Sequence, residues 1–219
     1  MPANDAIDVR RAEARFVTRS PGVETLHSFS FGTHYDPVNV GHGCLVTHDE
    51  HRLAPGAGFP PHPHRGLDIV TWVLAGRLRH EDDTGTVTDV STGGVQVLCT
   101  GDGVLHGERN ASTTEPVRFL QAWLIAEPGR SAPTYTVLDR GPDLDAGEWV
   151  SLCEVPGASL LGARLAAGEV LVVPAVRRAH LFVARGQVSL GGQMLDTSDA
   201  ARLTGAGELR LVTKQPAEL

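Results

Sequence analysis

The sequence has few cysteines and no long apolar run, and both absences exclude classes of protein. Its cysteines, Cys44, Cys99 and Cys153, are far apart, odd in number and outside any CxxC pattern. This spacing favours a reducing compartment over a disulfide framework. No apolar run approaches the length of a membrane span, and the N-terminus lacks the apolar segment of a secretory signal. We therefore expect a cytoplasmic protein with no membrane partner.

Positive charge is also scarce. The chain has 19 Lys and Arg residues against 26 Asp and Glu residues, and its formal net charge is -7. The arginines are scattered among acidic residues and form no basic stripe of the kind that nucleic-acid binders carry. We expect no direct binding to nucleic acid, whereas binding to another protein stays open.

Turn-forming residues are plentiful, with 25 glycines and 14 prolines. Between them lie short runs rich in β-branched and aromatic residues, such as LDIVTWVL at 67–74, followed by an Ala-Gly turn and the return run RLRHE. Short strands joined by glycine turns at roughly ten-residue spacing are typical of a sandwich or jelly roll. The sequence therefore predicts an all-β protein.

The strand pattern occurs twice along the chain. A looser segment with three prolines, 127–147, is predicted to connect the two sets of strands, and residues 1–14 are predicted to be frayed. The second set repeats the rhythm of the first but retains only His180 of the ten histidines. We predict two β-sandwich domains in tandem, 1–135 with a metal site and 136–219 without one.

Two short motifs carry the chemistry, HPHRG at 62–66 and GDGVLHGERN at 101–110. Because residues i and i+2 of a strand face the same side, His62 and His64 can point into one cavity, as can His106 and Glu108. Three imidazoles and one carboxylate suit Fe(II), Mn, Co, Ni, Cu or Zn and leave open coordination positions. Either pair alone is more often solvated, but together they indicate a single metal site.

Other polar residues leave alternatives open. His80 either borders the pocket or is a solvated hairpin residue, and Gln121 and Trp123 face the same side of one strand, so either can line the cavity. A further group of histidines precedes the first motif and is expected to lie in surface loops rather than to form a second metal site. Its members are His27, His34, His42, His48 and His51.

The two motifs resemble the two motifs of cupins, and the finer resemblance is to the pirin family, including bacterial members described as quercetin 2,3-dioxygenases. The matching stretches are HSFSF at 27–31, YDP at 35–37, APGAGFPPHPHRG at 54–66, LRHEDDTG at 78–85, GVLHGE at 103–108 and STTEPVRFLQAWL at 112–124. The resemblance covers residues 15–140 closely and the rest as a degenerate second cupin. It implies a bicupin fold, two jelly-roll domains in tandem.

The resemblance also implies a site and an activity. The metal ligands would be His62, His64, His106 and Glu108, holding one divalent ion, with Fe(II) expected and Ni, Mn, Co, Cu or Zn as alternatives. Asp68 stands where the family usually has Glu and is not expected to be a ligand. The implied activity is dioxygenase cleavage of flavonols such as quercetin with O2, with Glu108 as the catalytic base. The alternative is an iron-containing regulator that binds a protein partner without turnover.

Overall fold

The computed structural model describes residues 6–129 and 132–219, and almost all of its regular structure is strand. The exceptions among the described residues are two short 3-10 helices, Ala12–Ala14 and Asp143–Ala146. No helix in the described part of the chain is long and apolar enough to cross a membrane. The strands are β1 (Ile7–Arg10), β2 (Phe16–Ser20), β3 (Val23–His27), β4 (Leu45–Leu53), β5 (Gly58–His64), β6 (Leu67–Ala75), β7 (Arg77–Asp82), β8 (Val87–Ser91), β9 (Gly94–Cys99), β10 (Val104–Asn110), β11 (Val117–Ile125), β12 (Thr134–Asp139), β13 (Val150–Val155), β14 (Ala158–Gly162), β15 (Arg164–Leu165), β16 (Val170–Val173), β17 (Val176–Phe182), β18 (Gln187–Leu190), β19 (Gln193–Asp196), β20 (Ala200–Ala206), β21 (Leu209–Thr213) and β22 (Ala217–Glu218).

The chain divides into two compact units, which confirms the all-β, two-cupin prediction. The N-terminal unit contains residues 16–142 and 152–159, and the C-terminal unit contains 6–15, 143–151 and 160–219 among the described residues. Each unit therefore includes a short segment from the part of the sequence that mainly forms the other unit. The proposed domain boundary between residues 135 and 136 stays a prediction.

The N-terminal unit contains two antiparallel sheets with apolar side chains between them. The larger sheet has seven strands in the order β12-β9-β6-β11-β4-β3-β2, and the smaller has four in the order β5-β10-β7-β8. Val73 and Phe119 of the larger sheet share one buried cluster with Leu78 and Val90 of the smaller sheet. The core of this unit therefore lies between the two sheets, as in a sandwich.

The burial of each strand follows its sequence pattern. The β9 strand, GVQVLC, is buried at every position, as expected for a mostly apolar run covered on both faces. The β10 strand, VLHGERN, alternates instead, so that His106 and Glu108 point inward while Leu105 and Arg109 are exposed. This alternation places two polar residues inside the sandwich.

The C-terminal unit is built from its own antiparallel sheets, ordered β1-β20-β17, β16-β21-β18-β19 and β15-β22. Leu190, Leu195 and Leu211 belong to its fully buried core. Gly191 and Gly192, with φ of 54° and 89°, form the turn that joins β18 to β19. Positive φ at both central residues is the geometry of tight hairpin turns.

Two predictions about local structure were wrong. Residues 7–10, expected to be frayed, form β1 and pair with β20, while residues 1–5 lie outside the described part of the chain. The segment 127–147, expected to be a connection, contains β12, which pairs with β9 along its whole length. In both cases the hydrogen-bond partner is distant in sequence, so local composition does not reveal the strand.

Candidate metal centre

The three predicted histidines meet between β5 and β10. These strands are antiparallel, with His106 opposite His62 and Val104 opposite His64. The ring centroids are 4.7 Å apart for His62 and His106, 4.8 Å for His62 and His64, and 5.1 Å for His64 and His106. One ligand atom from each residue lies within 4.8 Å of the others. The structure therefore brings together three imidazoles in a space suited to one ion.

A β-bulge separates the histidines from Glu108. The register shifts between His106 and Glu108, so that Glu108 lies opposite Phe59. Next to the bulge, a Cβ atom on Gly58 would lie 2.5 Å from the Cα of Arg109, which excludes any side chain at this position. The bulge and the glycine together let β5 approach β10 closely and set the direction of the ligand side chains.

Glu108 belongs to a second, overlapping group of ligand atoms. His80, His106 and Glu108 also offer atoms that lie within 4.8 Å of one another, and all three residues are buried. His106 is thus common to both groups and links Glu108 to His62 and His64. Of the two predictions for His80, the solvated hairpin residue is wrong, since this residue is 0% exposed and lies beside His106 and Glu108.

Two glutamine amides hold the carboxylate of Glu108. Gln96 Nε2 donates to Oε1 at 2.5 Å, and Gln121 Nε2 donates to Oε2 at 2.7 Å. Trp123 Nε1 donates to Gln121 Oε1 at 2.9 Å, and the Tyr135 hydroxyl donates to Gln96 Oε1 at 2.8 Å. Because an indole N–H can only donate, it fixes which end of the Gln121 amide faces the carboxylate.

Burial changes the protonation of the site. Burial, together with the smaller effect of the neighbouring His62, lowers the pKa of His64 to about 4 and that of His106 to about 3. Burial raises the pKa of Glu108 to about 7, against the opposing effect of the two amide hydrogen bonds. His64 and His106 are therefore neutral at pH 7, with a ring nitrogen lone pair available for coordination.

The ring nitrogens have the pattern expected of metal ligands. His62 Nδ1 lies 2.9 Å from the carbonyl oxygen of Pro60, which can only accept, so Nδ1 carries the proton and Nε2 has the lone pair. The Nε2 atoms of His64 and His106 are buried and have no hydrogen-bond partner among the described residues. A buried polar atom without a partner costs about 1–3 kcal/mol, which a bound cation would offset.

An aromatic wall extends from the histidines to the surface. The Trp123 ring meets the His64 ring edge-on at 4.7 Å, and Phe31 meets Trp123 edge-on at 5.8 Å. Phe31 is 39% exposed, so the wall begins beside the ligand atoms and ends in solvent. We call Phe31 and Trp123 the aromatic wall.

Some residues of the site were missed by the sequence analysis. Gln96 carries a signal, because it is a polar residue inside the fully buried strand β9. Tyr135 lies in the segment that was predicted to be a connection, and it gave no signal. The prediction of surface loops was wrong for His27 and His51, which are 4% and 6% exposed. Both bond within the sheet, His27 to Asp49 at 2.9 Å, so they support the fold.

The remaining motif residues lie outside both ligand groups. Asp68 is 1% exposed in β6 and belongs to neither group. Asn110 donates to the carbonyl oxygens of Leu53 and Glu115 at 3.1 and 2.8 Å and accepts from the Ser112 amide at 2.9 Å. Asn110 therefore anchors the loop that follows β10.

Known proteins match both halves of the chain. Residues 9–124 match the family model described as Pirin. The chain belongs to the pirin family. Residues 157–219 of this pirin match the model described as the quercetinase C-terminal cupin domain.

Relatives of this pirin come from several bacteria. A Mycobacterium tuberculosis protein provisionally named quercetin 2,3-dioxygenase is 39% identical over 97% of this chain and 93% of its own. The quercetin 2,3-dioxygenase of Escherichia coli K12 is 31% identical, over 88% of this chain and 87% of its own. A crystal structure of the E. coli bacterial pirin YhhW in complex with nickel(II) has a TM-score of 0.87 and 27% identity, over 97% of this chain and 96% of that one.

Proposed function

We propose that this pirin is a metal-dependent dioxygenase that cleaves flavonols such as quercetin with O2 at a single metal centre. The observation that carries the proposal is the meeting of three histidines between β5 and β10, with the buried Glu108 in a second ligand group that shares His106. Names of relatives support the substrate class, since quercetin 2,3-dioxygenases are among them. In such a reaction the flavonol takes up both atoms of O2 and its heterocycle opens with loss of carbon monoxide.

Four residues would hold the ion: His62, His64 and His106 through Nε2, and Glu108 through its carboxylate. The donor set fits, because two of these nitrogens are buried without a partner among the described residues, and the bond from His62 Nδ1 to Pro60 leaves Nε2 as the coordinating atom of the third ring. A bound divalent ion would supply Lewis acidity toward the flavonol hydroxyl and electronic coupling between the flavonol and O2. Fe(II) is our proposed native ion.

Glu108 would accept the proton of the flavonol hydroxyl. In the metal-free protein, burial raises the pKa of this carboxyl to about 7, so its site favours the protonated form that follows proton transfer. The two amide donors from Gln96 and Gln121 keep the carboxylate in one orientation while it holds or loses the proton. We therefore assign Glu108 the role of catalytic base in addition to that of a ligand.

The aromatic wall would orient the substrate. A flavonol is planar and largely aromatic, and edge-to-face or offset contacts with Phe31 and Trp123 favour such a ring. Since the wall starts at His64, a ring packed along it would direct its hydroxyl toward the histidines and Glu108. The wall therefore supports an aromatic substrate over a small aliphatic one.

Oxygen consumption tests the proposal. The protein is reconstituted with Fe(II), Ni, Mn, Co, Cu or Zn in turn, and O2 uptake and carbon monoxide release are measured with quercetin. His62→Ala is the control, because it removes a ligand that lies at the edge of the core. We expect metal-dependent uptake of one O2 per quercetin in the wild type and none in the control. Stoichiometric metal without turnover for any ion would reject the enzyme and favour a pirin that binds a protein partner.

A further inference from the structure

Behind His106 lies a buried histidine–aspartate pair on the neighbouring strand β7. His106 Nδ1 is 3.5 Å from His80 Nδ1, at the outer limit of a hydrogen bond, and His80 Nε2 is 2.9 Å from Asp82 Oδ2. The side chains of His80 and Asp82 are 0% and 1% exposed. The three side chains therefore form a line that ends at the candidate ligand.

Asp82 is held in one orientation. Its Oδ1 accepts from the backbone amides of Thr84 and Thr86 at 2.9 and 3.0 Å and from the Thr84 hydroxyl at 2.6 Å. Three donors on one oxygen direct the other oxygen, Oδ2, toward His80. Tyr135 also stacks on the His80 ring, with centroids 4.2 Å apart and planes at 17°, which restricts rotation of that ring.

We propose that His80 and Asp82 are a positioning pair that sets the tautomer of His106. Asp82 Oδ2 accepts the His80 Nε2 proton, so His80 Nδ1 has a lone pair and accepts the His106 Nδ1 proton. His106 then presents its unprotonated Nε2 to the metal. Ligating histidines commonly donate their other ring N–H to such an acceptor, which fixes the ring and raises its basicity. This inference rests on the metal centre proposed above.

The Asp82→Asn variant should reverse the proton positions on His80 and His106 while keeping the turn after β7. The three donors from Thr84 and Thr86 keep the amide oxygen at the Oδ1 position, so the amide NH2 faces His80 Nε2. His80 must then accept there and carry its proton on Nδ1, where it opposes the His106 Nδ1 proton. His106 is pushed to the Nε2–H tautomer, which cannot bind a metal through Nε2. An Asp-to-Asn change beside a catalytic histidine acts in this way in serine proteases.

The test is a competition titration with Ni(II) on the full chain. We expect the dissociation constant to rise about 10–100-fold in Asp82→Asn. Asp83→Asn is the matched control, because this neighbouring carboxylate accepts the Leu105 amide at 3.2 Å and an Asn oxygen can accept it as well. Wild-type affinity is expected in the control.

Long-range proton–nitrogen NMR of the Zn(II)-loaded protein reports the tautomers directly. We expect His106 protonated at Nδ1 and His80 protonated at Nε2 in the wild type, a pattern that a merely structural role would not require. Protonation of His80 at Nδ1 in the wild type would overturn the pair even if the variant failed to fold. Wild-type Ni(II) affinity in folded Asp82→Asn would also overturn it. Equal Ni(II) binding by wild type and His62→Ala would instead reject the metal centre itself, and the pair with it.

Discussion

Replacing Gly58 with alanine tests how the close approach of β5 and β10 builds the site. The new Cβ atom would lie 2.5 Å from Arg109 Cα, where ordinary van der Waals contact begins at 3.4 Å, so the strands would have to separate by on the order of 1 Å. Gly58 is not one of the glycines with a positive φ, so backbone strain does not add to the cost of alanine at this position. Strand separation is therefore the single physical cause of any effect.

The magnitude follows from this displacement. Overpacking against backbone costs about 1–3 kcal/mol, and each kcal/mol lowers Tm by roughly 2–4 °C in a chain of this size. A functional site tolerates errors of about 0.5 Å in the positions of its side chains, and a misplacement of about 1 Å lowers activity on the order of 100-fold. We expect Gly58→Ala to weaken Ni(II) binding about 10–100-fold, measured by competition titration, with Tm measured by calorimetry.

Gly56→Ala is the matched control for this experiment. Gly56 has a φ of 71°, and an added Cβ would have nothing within 4 Å, so alanine there costs about 1–2 kcal/mol of backbone strain without moving β10. Both variants should lose stability, but only Gly58→Ala should lose Ni(II) affinity. Unchanged affinity in Gly58→Ala would refute the link between the strand approach and the ligand geometry.

Three further predictions follow from the site. Burial raises the Glu108 pKa from 4.5 to about 7, so this group should lower the stability of the metal-free protein by about 3 kcal/mol as pH rises between those values. Calorimetry at pH 5 and pH 8 should show this loss in the wild type and not in Glu108→Gln. Phe31→Ala should weaken quercetin binding roughly 2–10-fold with unchanged metal content, measured by fluorescence titration, because it shortens the aromatic wall. Ni(II) at a hundred times its dissociation constant should stabilise the protein by about 2.7 kcal/mol and raise Tm by roughly 5–10 °C, which EDTA should reverse.

Each of these predictions has its own control. The lowered pKa values of His64 and His106 make the protein less stable as pH falls, which is the opposite direction. The Glu108 effect is therefore measured as the difference in stability between wild type and Glu108→Gln. A constant difference across pH would contradict it. Tyr35→Ala removes an aromatic ring that is 73% exposed and not part of the wall; an equal loss of quercetin affinity there would contradict a specific wall. A nickel-induced rise in Tm that persists in His62→Ala would place the ion elsewhere.

The shared orientation of the candidate ligand residues could be predicted because strand periodicity is a local property. His62 with His64, and His106 with Glu108, share a face for the same reason that alternate residues of any strand do. Which strands are neighbours is not local, and the family resemblance supplied it. The glycine turn at 191–192 was equally predictable, since two successive positive φ angles favour glycine at both positions.

The surroundings of the ligands could not be predicted in this way. Tyr135 reaches Gln96 only because β12 pairs with β9, and a segment rich in proline and glycine gives no sign of that pairing. Asp82 faces His80 because the turn after β7 supplies three donors to one carboxylate oxygen. Such contacts depend on side-chain direction and on the β-bulge, and periodicity specifies neither.

The pairing of β1 with β20 has a consequence for synthesis. Arg10 lies opposite Ala200, so the C-terminal unit cannot complete its three-stranded sheet until about 190 further residues have been made. At ~5–20 residues per second the ribosome needs roughly 10–40 s for that length. Throughout that time the apolar side chains of β1, Ile7 and Val9, lack the sheet and the core against which they pack in the finished unit.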